Sequence, residues 1–248
     1  MLAWRCLLAV VLLCPAAPSA AETLHLCADV NSRLPYLTPE GGGTTGRLVT
    51  QAAHEAGLEV EFHRVPMLRC RAEVVLNLLH GYPMTPYDPE LFPIAAFPMR
   101  NGAVDPSRAT VHARIMLYRR SGSKVAWSGT AIEGLERPVL ISNGAILTRN
   151  ALAKLKVAID QNGQSSEVNF TKLVAGRGDV AAAFDFEGGR LMQLPRFAGK
   201  IEMLPLPLFE QTYYLAVTKR FQSRNQAAVE TMWNAIGRLN QAAKTLKK

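Results

Sequence analysis

The sequence lacks the short motifs that mark several common enzyme classes. It contains no HExxH segment, no pair of cysteines at zinc-binding spacing and no GxSxG segment. These absences argue against a zinc peptidase, a structural zinc domain and a serine hydrolase of the nucleophile-elbow type. The glycines at residues 41–43 are not followed by the Lys-Ser/Thr pair of a P-loop, so they predict a flexible loop tip. We therefore expect a protein that is not an enzyme.

Cysteine is scarce, with four residues in a chain of 248, and two of them lie before residue 15. The other two, Cys27 and Cys70, are not arranged as CxxC, which excludes a thioredoxin-like redox motif. In an oxidising compartment they could form one disulfide. Both the paired and the free state stay open, because the sequence does not show whether their Cα atoms approach within about 7 Å.

Histidine is also scarce. The five histidines lie far apart in the sequence and on different predicted elements, so we expect surface or packing roles, with no metal site and no cofactor. They are His25, His54, His63, His80 and His112.

The chain is basic, with a formal net charge of +8, but its lysines and arginines are scattered. A nucleic-acid-binding surface would need basic residues on one face with aromatic residues between them. The charge therefore favours solubility and anionic partners, and it argues against nucleic acid as the partner.

The N-terminal segment has the three parts of a secretory signal peptide. Arg5 supplies a positive charge, residues 6–14 are apolar, and residues 15–21 are mostly small. The apolar run is well short of the ~20 residues that a bilayer requires. The neighbours of Cys14 fit a lipid-attachment site poorly. We predict cleavage after residue 21 and export to the periplasm.

The remaining sequence predicts an α/β protein with two lobes of similar build. A strand at 23–29, a helix from 45 and a strand at 59–65 form a βαβ unit, which favours a parallel sheet. Later elements repeat this plan, and a long strand at 109–119 separates the first lobe from the second. The remaining predicted elements are a helix at 68–79, a loop at 82–93, strands at 138–142, 180–184 and 213–218, a helix at 146–156, a crossover at 200–208 and a final helix at 225–247.

Candidate ligand contacts stand where these elements begin or end. Asp185 follows the strand 180–184, and the carboxyl ends of strands are where open α/β sheets bind ligands. A capping role for this aspartate in the next turn is the open alternative. Asn143, Gly144 and Ala145 precede a helix whose first amide groups attract an anion or polar ligand.

The order of several segments resembles the periplasmic solute-binding proteins of family 3, the polar-amino-acid type. These segments are LHLCADVNSRLPY, TTGRLVTQAAHEAGLEVEF, a helix ending LLHG, GRGDVAAAFD and YYLAVTK. The resemblance implies the two-lobed type II periplasmic-binding-protein fold. Each lobe would be a mixed, mainly parallel sheet flanked by helices, and two hinge crossings would join them. The implied lobes are 22–117 with 211–248, and 118–210.

The resemblance also implies roles for individual residues. Tyr36 matches the aromatic residue that packs on the ligand, and Asp185 matches the carboxylate that binds the ligand's ammonium group. Asn143, Gly144 and Ala145 match the turn that meets its polar end. We include Thr85, from the segment YPMTPY, among the predicted contacts.

One departure from the family pattern concerns the ligand's carboxylate. The arginine that usually binds it is replaced by Leu91. Arg69 or Arg100 could replace that charge, although a surface role is the alternative for both. A standard α-amino acid is therefore not the expected ligand.

Three hypotheses for function follow. The first is a monomeric periplasmic protein that captures a small polar or anionic solute for the membrane subunits of an ABC importer. The second is a periplasmic accessory protein with an altered cleft, because LCADVNSRLPY also resembles proteins of this fold that accompany quinoprotein dehydrogenases. The third and least favoured is an enzyme that uses Glu187 beside Asp185 as an acid or base.

Overall fold

The computed structural model describes residues 21–88, 90 and 93–245. The predicted signal peptide, apart from Ala21, and Leu91 fall outside these residues. Within the described part of the chain, no helix combines the length and apolar character needed to cross a membrane.

The described chain alternates strands and helices. The strands are β1 (Glu22–Asp29), β2 (Leu58–Val65), β3 (Gly81–Pro86), β4 (Ala95–Ala96), β5 (Met99–Arg100), β6 (Ala103–Val104), β7 (Val111–Arg120), β8 (Ala126–Trp127), β9 (Ile132–Glu133), β10 (Val139–Ser142), β11 (Ile159–Gly163), β12 (Val180–Phe184) and β13 (Ile201–Thr218). The helices are α1 (Gly43–Glu55), α2 (Met67–Val75), α3 (Ile146–Lys154), α4 (Ser166–Val174), α5 (Asp185–Met192), α6 (Lys219–Arg224) and α7 (Gln226–Thr245), with a 3₁₀ turn at Pro106–Arg108.

A nine-stranded mixed sheet runs through both lobes in the order β11-β10-β12-β7-β13-β3-β1-β2, with β4 beside β13. Strands β1, β2 and β3 pair in parallel at one end, and β10, β11 and β12 pair in parallel at the other. The antiparallel strands β7 and β13 connect the two sets. This architecture confirms the predicted two-lobed α/β fold with two crossings, and it adds that the two lobe sheets are continuous. The exact lobe boundaries stay a prediction.

Each set of parallel strands has helices packed on it. On the first set, Leu24 and Leu26 of β1 face α1 and α7, where Val49 and Trp233 are buried. On the second set, buried residues of β10 and β12 pack against Phe170 of α4 together with α5. Alternation along β1 sends His25 and Cys27 to the opposite face of the sheet.

The predicted return crossover and the following strand form one strand, the 18-residue β13. Its register against β7 shifts between Met203 and Pro207 and again before Phe209. Pro205 and Pro207 cannot donate to a ladder, so the strand passes them through irregular pairing.

The predicted loop at 82–93 is wrong in its first part, because Gly81–Pro86 is strand β3. The two prolines in YPMTPY argue against a strand in the sequence, because proline cannot donate a hydrogen bond to a neighbouring strand. In the pairing with β13, Tyr82 lies opposite Ala216 and Thr85 opposite Tyr214, so two residues of β3 face one of β13. This bulge accommodates Pro83, which has no N–H to donate.

A disulfide joins Cys27 of β1 to Cys70 of α2, with the two Cα atoms 5.8 Å apart. Both residues are buried and pack with Leu79. Helix α2 ends at Val75, four residues before its predicted end. The disulfide fixes this short helix against the end of β1 where the candidate site lies.

A candidate ligand-binding cleft between the lobes

A cavity of about 110 Å³ lies between the two sets of parallel strands. The loop after β1, the helix α2 and the strand β3 line it from one side. The start of α3 and the end of β12 line it from the other, as expected for a site at strand ends. The lining residues are Arg33, Met67, Arg71, Tyr82, Met84, Pro86, Ile115, Gly144, Ala145, Ile146, Leu147, Thr148, Phe184 and Tyr213.

The charged side chains that line this cavity are the arginines Arg33 and Arg71, and its described lining contains no aspartate or glutamate. The side chain of Arg33 is 26% exposed, and its Nη2 lies 3.4 Å from Oδ2 of Asp29. Its buried Nε has no hydrogen-bond partner. Burial alone would lower the pKa of Arg33, but the combined effect of Tyr82, Asp29, Glu187 and Tyr213 raises it above its ordinary value. The guanidinium therefore stays protonated with one N–H group unused.

Arg71 reaches across the cleft from α2. Its Nη2 donates a hydrogen bond of 3.1 Å to the carbonyl oxygen of Gly144, just before α3. Burial lowers the pKa of Arg71, and the positive charges of Arg33 and Arg149 lower it further. An anion in the cavity would relieve this repulsion, because an opposite charge nearby favours the protonated form.

The start of α3 contributes a second source of positive potential. Its N-cap residue is Ala145, whose side chain makes no capping hydrogen bond. Unpaired amide groups and the helix dipole make such a terminus attractive to an anion. Gly144 has a φ of +77°, a conformation that L residues rarely adopt.

Aromatic residues form the apolar wall of the cavity. The rings of Phe184 and Tyr213 meet edge to face with centroids 5.7 Å apart, and the guanidinium of Arg33 lies 5.9 Å from the Phe184 centroid. Burial raises the pKa of Tyr82 and of Tyr213, so both phenols stay neutral and able to donate. The wall thus offers apolar surface with two hydroxyl groups.

Of the predicted contacts, Gly144 and Ala145 line the cavity. Asn143 lines a neighbouring opening with Asp29 and Gln164. Tyr36 lies behind the aromatic wall, with its ring centroid 6.1 Å from that of Phe184. Its side chain is buried, and its hydroxyl has no hydrogen-bond partner.

Asp185 does not line this cavity. It is the first residue of α5, where its Oδ1 accepts a hydrogen bond of 2.9 Å from the N–H of Phe186. Its Oδ2 accepts one of 3.0 Å from Nε of Arg114. The carboxylate lines a separate opening beside β7 and β13. These contacts match the capping alternative, and the predicted role in ligand binding stays a prediction.

The arginine of α2 that lines the cavity is Arg71, and Arg69 points elsewhere. The Arg69 side chain is 70% exposed and pairs with Glu73 at 2.6 Å. Arg100 pairs with Asp105 at 2.9 Å, also outside the cavity. Thr85 donates to the carbonyl oxygen of Tyr82 and lines an adjoining apolar cavity of about 230 Å³.

Sequence reasoning missed Arg33, Arg71, Tyr82 and Tyr213. Helical spacing could have found Arg71, because it lies one turn after Met67 on the same face, whereas Arg69 lies on the opposite face. Strand alternation could have found Tyr82 and Met84, but only after YPMTPY was recognised as a strand. Nothing in the sequence pattern distinguishes Arg33 from a surface arginine.

Glu187 lies in α5, close enough to Arg33 for their charges to interact. It is 8% exposed. Burial raises the pKa of its carboxyl group, against the opposing effects of Arg33 and of a hydrogen bond with Ser166.

The fold and the cleft define a structural class, the two-lobed α/β proteins with a cleft between the lobes. A histidine kinase sensor domain with similarity to periplasmic binding proteins is 14% identical, with a TM-score of 0.72 over 92% of this chain and 95% of that chain. An ancestral arginine-binding protein bound to arginine is 14% identical, with a TM-score of 0.70 over 92% of this chain and 97% of that chain.

The GluR0 ligand-binding core from Nostoc punctiforme, in complex with L-glutamate, is similar at 13% identity, with a TM-score of 0.65 over 87% of this chain and 95% of that chain. No protein-family model matches the sequence, and no curated protein does. The chain therefore has the fold of periplasmic solute-binding proteins, as the sequence resemblance implied. At these identities the likeness establishes the fold alone.

Proposed function

We propose that the chain is a divergent family 3 solute-binding protein that captures a small anionic solute in the cleft. One observation carries this proposal. Two arginines from one lobe face the start of α3 from the other, across a cavity whose described lining has no carboxylate. Buried charges need partners, and a ligand carboxylate supplies one.

The geometry favours an organic acid over a standard α-amino acid. A carboxylate would bind between the guanidinium of Arg71 and the first turn of α3, because a planar fork recognises a carboxylate through two hydrogen bonds. The apolar part of the solute would pack on Phe184 and Met84. An ammonium group would meet no free carboxylate in the described lining, since Asp185 is paired with Arg114 outside it.

A ligand screen with paired variants tests this proposal. Thermal unfolding of the mature protein would be followed with small mono- and dicarboxylates, amino acids and amines, since a ligand at ~100 times its dissociation constant adds about 2.7 kcal/mol. We expect Arg71→Gln to abolish the shift. Arg69→Gln, on the exposed face of the same helix, is the matched control and should leave it unchanged. A shift by amines alone, or one that survives Arg71→Gln, would contradict the proposal.

The cellular role that we propose is delivery of this solute to an ABC importer after export to the periplasm. Uptake of the labelled solute should fall in cells that lack the protein. N-terminal sequencing of the exported form should begin at Glu22.

The second candidate is an accessory protein whose cleft has lost a transport role. Two direct hydrogen bonds between the lobes favour this second candidate. The guanidinium of Arg71 donates to the carbonyl oxygen of Gly144, and the side-chain amide of Asn31 donates to the carbonyl oxygen of Gln164 at 3.2 Å. Co-purification with a periplasmic dehydrogenase, with no ligand found in the screen, would support it over the first.

A further inference from the structure

Two histidines that are distant in sequence come together on the face of the sheet opposite α1 and α7, and a third lies beside them. His25 of β1 lies directly opposite Glu61 of β2, and His63 lies opposite Cys27 in the same parallel pair. Alternate residues share a face, so His25, Glu61 and His63 project from one side. His80 follows closely, with its ring centroid 5.3 Å from that of His25. These histidines do lie on different elements, as expected, but the sheet brings them together in space.

Among the described residues, short elements leave the group of His25, Glu61 and His63 partly uncovered. Helix α2 packs on the same face but meets it at Cys27, through the disulfide. The polar residues before Cys27 and along the outer strand β2 stay partly open to solvent. The side chains of His25 and His63 are 34% and 33% exposed, and that of Glu61 is 58% exposed.

The distances among the three side chains suit a single small cation. Nδ1 of His25 lies 3.0 Å from Nε2 of His63 and 3.3 Å from Oε2 of Glu61. Nε2 of His63 lies 3.5 Å from Oε1 of Glu61. Ligand atoms about 2.0–2.1 Å from a tetrahedral zinc ion are separated from one another by about 3.3 Å. The observed separations require adjustments of only a few tenths of an ångström.

We propose that His25, Glu61 and His63 form a binding site for a divalent transition-metal ion, with Zn²⁺ as its representative. Two imidazoles and one carboxylate are a donor set that zinc accepts, with water completing the tetrahedron. His80 supports the site from behind, since its Nδ1 accepts the backbone N–H of His25 at 3.1 Å. This bond fixes the strand that carries the first ligand. The site does not share residues with the lining of the cleft.

Titration calorimetry with zinc chloride on the mature protein, without a polyhistidine tag, tests the proposal. We expect one Zn²⁺ per chain, and at least a tenfold weaker affinity in His63→Gln and in Glu61→Gln. The matched control is His54→Gln, an exposed histidine on α1, which should change the affinity less than twofold. X-ray absorption at the zinc edge should show two imidazole ligands with oxygen in the remaining positions.

Thermal melting in the presence of a chelator establishes that each variant is folded. If His63→Gln does not fold, Glu61→Gln decides, because Glu61 is the most exposed of the three ligands. No binding by the wild type would overturn the proposal. The same conclusion would follow if both folded ligand variants retained wild-type affinity, or if His54→Gln lost binding as they do.

Discussion

The contacts of a single side chain show whether each of its groups stabilises the fold or destabilises it. Tyr36 illustrates this, because its hydroxyl is buried without a hydrogen-bond partner while its ring contacts Phe184 and Phe186. A buried polar group left unsatisfied costs about 1–3 kcal/mol. The ring therefore stabilises the aromatic wall, whereas the hydroxyl destabilises it.

We accordingly predict that Tyr36→Phe raises the free energy of unfolding by up to ~1 kcal/mol, because it removes the unsatisfied hydroxyl and keeps the ring. Urea unfolding of both proteins without ligand measures this difference. Tyr213→Phe is a comparison at a second buried tyrosine of the same wall. A loss of more than about 1 kcal/mol in Tyr36→Phe would show that its hydroxyl makes a stabilising contact.

Glu187 predicts a pH dependence of stability. Burial raises the pKa of its carboxyl group in the folded protein above the ordinary value of 4.5. The folded state therefore binds the proton more tightly than the unfolded state does. The resulting contribution to stability is fully present below the ordinary pKa and is lost as the pH rises through the folded pKa.

Glu187→Gln removes this titration and keeps the size of the side chain. The free energy of unfolding of the variant, relative to that of the wild type, should increase as the pH rises from below the ordinary carboxyl pKa toward neutral pH. Urea unfolding at several pH values measures the difference, and Glu167→Gln, on the surface of α4, is the control. A constant difference over this range would mean that the carboxyl group is not perturbed.

At the scale of elements, helix α2 carries both Arg71 and the disulfide to β1. A disulfide that closes a loop of 43 residues stabilises a protein by about 4 kcal/mol in the chain-entropy model. We predict that reduction lowers the melting temperature and weakens solute binding, because α2 then loses its attachment near Arg71. Differential scanning fluorimetry with and without a reducing agent measures both effects.

The matched control for reduction is the double variant Cys27→Ala with Cys70→Ala. It should melt lower than the oxidised wild type and should not respond to the reducing agent. If the reducing agent lowered the melting temperature of the variant as much as that of the wild type, its effect would not come from breaking this disulfide.

Elements with regular periodicity could be predicted from the sequence, and those with prolines could not. The apolar run Val180–Phe184 and the alternating β1 were predicted closely, because their side-chain patterns are local. Strand β3 was predicted as a loop because its Pro83 is accommodated by a bulge against β13, a strand that is distant in the sequence. The position of the cleft followed from the order of elements, but the identity of its arginines depends on helix faces and loop paths.

The histidine group shows the same limit. Alternation in LHLCAD and VEFHRV could place each histidine on one face of its strand. The register that brings Glu61 opposite His25 is a property of the assembled sheet. Residues that are distant in sequence were therefore judged to be separate when they are neighbours.

At the scale of the whole molecule, β7 and β13 are the strands that connect the two lobes. The two lobes meet where α2 approaches the turn before α3. A Cβ atom built on Gly144 would lie 3.9 Å from Cβ of Met67. Disulfides have a mean Cβ–Cβ separation of about 3.8 Å, so this pair is placed for a cross-link between the lobes.

We predict that the double variant Met67→Cys with Gly144→Cys forms this disulfide under mild oxidation and holds the lobes together. A side chain at Gly144, where φ is +77°, costs about 1–3 kcal/mol, so the variant should melt lower when reduced and higher when oxidised. Peptide mass spectrometry without reduction identifies the bond and distinguishes it from exchange with Cys70. Each single variant is a control. A double variant that stays unlinked would mean that the lobes seldom approach as closely as the structure places them, and Arg71 would then bind solute without contacting Gly144.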